Sequence, residues 1–283
     1  MKISIVVPTY NNLTYLKLFI SSIKKNSKYG HQIILHINDG SDGTLNYAKK
    51  NKIQFTHSFQ NIGLCKSLNR AANLANTNYI LYAHDDMFFC KDWDIYLEKE
   101  IKRFKDNLYY LTGTNISKKD GLINYNCGST TNNFNEKKFN KFCEMDKSKD
   151  LQGSHWAPHL VHKKIWEKIG GFSEEFNPGD GSDPDFCMKL WNNNVRIFKT
   201  ISKFKVYHFS SVTTRKKNIV LNNGTKTFIL KYGFNPRFFR KYYLKGNDSN
   251  LFSGKLHNPK MTLMMFFELI INKLKYLYFS LTK

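Results

Sequence analysis

Tyr79-Ile-Leu-Tyr-Ala-His84-Asp85-Asp86 is an apolar run that stops abruptly at two adjacent carboxylates. Two anions held together at the end of a buried strand cost several kcal/mol, roughly, unless positive charge sits against them. A divalent cation carrying phosphate oxygens would supply it. A helix-capping turn is the other reading, because Asp also accepts the free N–H groups of a following helix. Asp39, in Asn38-Asp39-Gly40-Ser41, is a second carboxylate able to accept hydrogen bonds from a nucleotide base, or to make a simple Asp-Gly turn. Asp183 and Asp185, with Asp180 nearby, open a helix, where the N-terminal dipole favours an ionised group that can take a proton from a hydroxyl or simply cap the helix. His208 follows an apolar-aromatic strand and has a nitrogen available for a metal. His155, His159 and His162 match no fixed zinc spacing and are not read as a site.

These side chains need a scaffold, and the first half of the chain spells one out. Ile3–Val7, Gln32–Ile37, Ile53–Thr56 and Tyr79–Ala83 read as strands. Pro8-Thr9-Tyr10-Asn11-Asn12 reads as a turn after the first strand, with Asn11 or Asn12 capping a helix that buries Leu16, Phe19, Ile20 and Ile23. Gly63 turns the chain into a second apolar-faced helix, along Leu64, Leu68, Ala71, Ala72 and Ala75. Three strand-to-helix passages before residue 85 predict right-handed crossovers and an open, mostly parallel α/β sheet, whose ligands sit at the carboxyl ends of the strands. Trp93–Phe104 reads as a helix and Leu108–Thr112 as a strand, and 115–150 as irregular loops. A short helix ends at Gly170-Gly171, a further one is capped by Ser182 or Asp183, and Val195–Phe198 and Phe204–Phe209 read as separate strands.

The 283 residues carry 44 Lys and Arg against 22 Asp and Glu, a formal charge of +22 that attracts anions without choosing among nucleic acid, anionic lipid and acidic glycans. Hydrophobic content of 41% and aromatic content of 15% suit a packed globule. Five cysteines without paired spacing suit a reducing compartment. The opening Lys2–Val7 reads as a strand and not as a signal peptide, and no run of 18 apolar residues predicts a membrane span. The last segment, Met261–Leu281, is periodic with interspersed polar residues, so it reads as an amphipathic helix that either covers the protein's own core or lies in a membrane interface.

Taken together, Ile3-Ser-Ile-Val-Val-Pro8-Thr9-Tyr10-Asn11, Asn38-Asp39-Gly40-Ser41-Asp42-Gly43-Thr44, Asn61-x-Gly63, His84-Asp85-Asp86 and Asp183-Pro-Asp185-Phe186 resemble the family 2 glycosyltransferases with a GT-A fold, over roughly residues 1 to 210. The resemblance implies an α/β, Rossmann-like, mostly parallel sheet flanked by helices. It also implies transfer of a sugar, with inversion, from a nucleotide diphosphate sugar to a glycan or lipid-linked glycan hydroxyl, with Mn2+ or Mg2+. On the family's pattern Pro8, Thr9, Tyr10, Asp39, Asn61, Gly63 and Asp85 border the donor. Asp86 and His208 are metal ligands, and Asp183 is the catalytic base. Asp185 and Trp156 are further acceptor-side candidates. His84 stands where the family's Asp-x-Asp motif has its first Asp, and Ser182 where a Glu-Asp pair has its Glu, so a catalytically weak glycan- or nucleotide-binding relative stays open as an alternative.

The expected division is a catalytic domain over 1–215 and a helical extension over 216–283. The expected location is cytoplasmic, at the inner face of the membrane, with peripheral contact through 261–281. Nucleic-acid binding is disfavoured, because no standard motif accompanies the basic and aromatic residues and the acidic loops would repel phosphate. A nucleotidyltransferase would need a Gly-rich basic loop after the first strand, and none is there.

Overall fold

The computed structural model describes residues 1–153, 156–210, 222–246 and 249–282. One mixed sheet runs through the molecule in the order β3-β2-β1-β4-β9-β6-β10-β5, with β7 added to β6 and β8 to β10. Its strands are β1 Ser4–Tyr10, β2 Gln32–Asn38, β3 Gln54–Ser58, β4 Tyr79–Tyr82, β5 Met87–Phe89, β6 Tyr109–Ser117, β7 Ile123–Asn124, β8 Leu151–Gln152, β9 His159–His162 and β10 Ile197–His208. The helices are α1 Leu13–Asn26, α2 Thr44–Lys50, α3 Leu64–Ala72, α4 Trp93–Ile101, α5 Glu136–Met145, α6 Lys163–Ile169, α7 Ser182–Asn192, α8 Gly224–Tyr232, α9 Pro236–Phe238 and α10 Leu263–Leu281. A π turn over Phe239–Tyr243 follows α9.

The half β3-β2-β1-β4 is wholly parallel, as the alternation of apolar runs and amphipathic helices predicts. Leu16, Phe19, Ile20 and Ile23 of α1 are all buried. The other half is mixed. β9 runs antiparallel to both β4 and β6, and β5 antiparallel to β10. The register of that last pair sets His208 opposite Met87, the residue after Asp86.

Four expectations are corrected. Pro8-Thr9-Tyr10 does not end the first strand, since β1 continues to Tyr10. β4 pairs with β1 only along Ser4–Val6, so Pro8 lies beyond the stretch where a missing N–H would cost a ladder bond on that side. The region 115–150 holds α5, whose one buried residue, Phe139, leaves no period to read. The two late strands are one, β10, with an irregularity between Ile201 and Lys205. Polar residues between the two expected strands hid its continuity, Lys199 first among them, buried against Glu100 at 2.6 Å and Asp150 at 2.8 Å; further along, Lys205 is buried against Asp146 at 3.1 Å. Finally, α7 is not capped by Ser182 or Asp183. Gly181, at φ +80°, precedes it, and the Ser182 hydroxyl donates to Gly179 O at 2.7 Å.

The expected domain boundary between residues 215 and 216 lies outside the described residues. All five cysteines are free thiols. Among the described residues no helix is long and apolar enough to cross a membrane. α10 touches the protein's core only through Met265 and the half-buried Leu269, and the rest of its apolar strip does not cover it.

Candidate active site

Because β1, β2 and β4 are parallel, the segments after them emerge at one edge of the sheet. The β1–α1 loop ties the others together. Asn11 Nδ2 donates to Asp39 Oδ2 at 2.6 Å, and its side-chain oxygen accepts from Gly40 N at 2.9 Å. Asn12 precedes α1 but its side chain does not cap it, donating instead to Asp85 Oδ1 at 3.0 Å. The Leu13 amide donates to Asp42 Oδ2 at 2.8 Å. Thr9 Oγ1 donates to the other Asp85 oxygen at 2.6 Å. The Asn-rich stretch after β1 is therefore a pair of arms reaching the Asp39 and Asp85 loops.

Asp85 and Asp86 are both buried. Burial, and then the adjacent Asp86 charge, raises the Asp85 carboxyl above the usual carboxylate range, against the pull of Thr9 and Asn12. Asp86 Oδ1 lies 3.1 Å from His208 Nε2, and His84 Nδ1 lies 3.2 Å from the same nitrogen. Among the described residues His84, Asp86 and His208 form a group whose ligand atoms lie within 4.8 Å of one another, able to hold a metal ion. The donor set fits a divalent cation. Burial lowers the His84 imidazole to about 4, so it is neutral and its lone pair is available. Tyr82 OH, 2.8 Å from His84 Nε2, and Asn115 Nδ2, 3.2 Å from His208 Nδ1, orient the two rings from behind. Reading His84 as a departure from a carboxylate motif missed that an imidazole is itself a ligand. A cavity of about 240 Å³ opens beside His208, with Lys118 and Lys119 among its lining.

Asp183 approaches from α7. One of its oxygens, Oδ1, is sealed from solvent and makes no hydrogen bond. Burial pushes its carboxyl up to about 7. Tyr82, bonded to His84, lies within electrostatic reach of Asp183, Asp86 and Asp85 together. The segment ahead of α7 is pinned to the start of α3: Leu64 N donates to Pro178 O at 3.1 Å and Cys65 N to Asn177 Oδ1 at 3.1 Å. Asn61 Oδ1 accepts from Gly63 N at 3.0 Å. Gly63 has φ +84°, and a Cβ there would stand 2.4 Å from Asn177 Oδ1, which the Cys65 bond holds in place. Gly63→Ala is expected to cost roughly 1–3 kcal/mol of stability from backbone strain alone, more with the clash. Urea denaturation measures it, and an unchanged midpoint would mean the junction yields.

Asp185 does not face an open site. It is fully buried, bonded through Oδ1 to Tyr232 OH at 2.7 Å and to Lys231 Nζ at 2.8 Å, both on α8. Gly181 and Gly224 pack backbone to backbone beside it: a Cβ on Gly181 would meet Gly224 Cα at 2.9 Å. The Gly224 amide donates to Asp180 Oδ2 at 2.9 Å. Trp156, at φ +59°, packs half-buried against the core. Of the three clustered histidines, His155 lies outside the described residues. His159 is fully buried among Tyr82, Tyr110, Phe172 and Phe186.

A Rossmann-like sheet with acidic loops on its carboxyl edge, and a His/Asp group able to hold a metal where its fourth and tenth strands end, is a GT-A-type arrangement. The model for Glycosyl transferase family 2 matches residues 4–170, more than half of the sequence. The chain belongs to that family. Asp183 and His208 lie beyond the matched stretch. No curated protein matches the sequence. Among solved structures, S. aureus TarS 1-349 in complex with UDP is similar at 17% identity and a TM-score of 0.54, over 73% of this chain and 60% of that one. The complex of the same fragment with UDP-GlcNAc gives 17% and 0.53, over 75% and 61%. The fragment crystallised as S. aureus TarS 1-349 gives 14% and 0.58, over 100% and 74%. At these identities the likeness is one of fold, and the chain spans about 60% of the length of the first of these structures.

Proposed function

We propose that the protein transfers a sugar from a nucleoside diphosphate sugar to a hydroxyl of a glycan or lipid-linked glycan, with inversion. The observation that carries this reading is the meeting, at one sheet edge, of the His84–Asp86–His208 group with the Asp39 and Asp85 loops, the two loops tied by Asn11 and Asn12. Pro8, Thr9, Tyr10, Asp39, Asn61, Gly63 and Asp85 border the donor, with the Asp39 carboxylate accepting from the base. His84, Asp86 and His208 hold the cation, Mn2+ or Mg2+, which when bound would neutralise the diphosphate and its developing charge. Asp183, kept basic by burial, takes the proton of the acceptor hydroxyl. Trp156 remains the acceptor-side candidate, whereas Asp185 acts through α8.

Peripheral membrane contact through residues 261–281, at the inner face of the cytoplasmic membrane, belongs to the same reading, because a lipid-linked acceptor would be met there. Since the similar TarS structures carry UDP and UDP-GlcNAc, UDP-sugars are the first donors to try. The protein is expected to release nucleoside diphosphate from one sugar nucleotide in a small set, with manganese or magnesium present and not after chelation. Release from none of them, with either cation, would overturn the reading.

A further inference from the structure

α10 is built inside out. At about 100° per residue, Leu263, Phe267, Ile270, Leu274, Leu277 and Leu281 fall on one side, and Met265 and Asn272 on the opposite side. The side that faces the protein holds Met265 and Leu269 against the core, together with polar contacts. Asn272 Oδ1 accepts from Asn235 N at 2.9 Å, and Glu268 meets Lys241 at 2.6 Å. The apolar side faces out, with Leu263 74%, Phe267 56%, Leu274 62% and Leu281 85% exposed. A helix that served only to close the fold would turn these leucines inward. A continuous apolar strip of this length left in water marks a surface that meets something else. Lys273 and Lys275 are exposed and lie roughly 100° to either side of the strip's centre, where long side chains carry their charge out of an apolar layer.

We infer that α10 lies in the plane of an anionic lipid surface, its leucine and phenylalanine strip at the acyl boundary and its flanking lysines on the lipid phosphates. Charge decides the occupant. A second copy would bring another chain of net charge +22 against these lysines, whereas an anionic bilayer neutralises them. This docking rests on the proposed function, since it puts the enzyme where a lipid-linked hydroxyl is presented, but binding is measured without turnover.

The test is flotation of the full chain with vesicles of phosphatidylcholine alone and of phosphatidylcholine with phosphatidylglycerol, alongside sedimentation velocity without lipid. The protein is expected to float with the anionic vesicles and to stay monomeric. Phe267→Gln with Leu274→Gln should abolish flotation. Lys273→Gln and Lys275→Gln should each weaken it by roughly fivefold, about 1 kcal/mol per basic residue near the surface. Thermal unfolding and donor hydrolysis should be unchanged in all four substitutions. Failure of the parent chain to float, equal flotation with neutral vesicles, or a dimer that Phe267→Gln dissociates would each overturn the inference. If no donor is hydrolysed but flotation behaves as described, the catalytic reading fails and the lipid contact stands.

Discussion

Asp183→Asn is expected to lower transfer to the acceptor by about a hundred- to ten-thousandfold, the range that a positioned general base supplies, while donor binding survives. The same substitution should make the protein more stable at alkaline pH, and the sign follows from the direction of the shift. Burial raises the Asp183 carboxyl to about 7. Between the ordinary carboxylate range and that value the folded protein holds a proton that the unfolded chain has lost, so stability falls as pH rises through this interval and the penalty is complete above it. Asparagine carries no charge to bury. Part of the group is reached by solvent, so the full shift overstates the gain, and roughly 2 kcal/mol at pH 8 is a reasonable size. Melting curves at pH 4 and pH 8 check it: the variant should melt higher than the parent at pH 8 only. Transfer by the parent should rise with pH through about 7. Undiminished transfer by the asparagine variant would remove Asp183 from the base role.

The second large effect concerns the cation group. Asp86→Ala deletes the one carboxylate among the three candidate ligands and should cost about a hundredfold or more in metal affinity and in metal-dependent donor hydrolysis. His84→Asp is the more informative substitution. Two imidazoles and one carboxylate suit manganese better than magnesium, which prefers oxygen. The parent is therefore expected to be more active with Mn2+ than with Mg2+, and His84→Asp to narrow or reverse that ratio. Calorimetric titration with each cation, in the absence of donor, reads the same preference without turnover. A ratio indifferent to the substitution would mean that His84 is not a ligand.

Much of this was legible in the sequence wherever a single element carries its own signal. The parallel half of the sheet follows from continuous apolar runs alternating with amphipathic helices. The Asp85-Asp86 pair stands out because an apolar run ends on it. What was not legible depends on partners distant in sequence. Asn11 and Asn12 look like helix caps until Asp39 and Asp85 arrive to receive their amides. β9 is four residues long, and its two histidines broke the apolar pattern. β10 looked divided because Lys199, at the break, is buried by acids from α4 and from the segment after α5, a pairing that leaves no local trace. Asp185 looked like a second acceptor-side acid for the same reason, since Lys231 and Tyr232 lie more than forty positions further along.

The grip of α8 on α7 changes what the C-terminal segment is for. Cutting the chain ahead of α8 would strand the Asp185 carboxylate in the interior with neither ammonium nor phenol to answer it, a loss of about 3–5 kcal/mol for a broken buried pair. It would also leave Gly181 facing an empty slot where Gly224 belongs. The tail is thus a buttress for the first turn of α7, on which Asp183 stands, and a chain trimmed to its front half would keep the Asp39 and Asp85 loops while Asp183 lost its support.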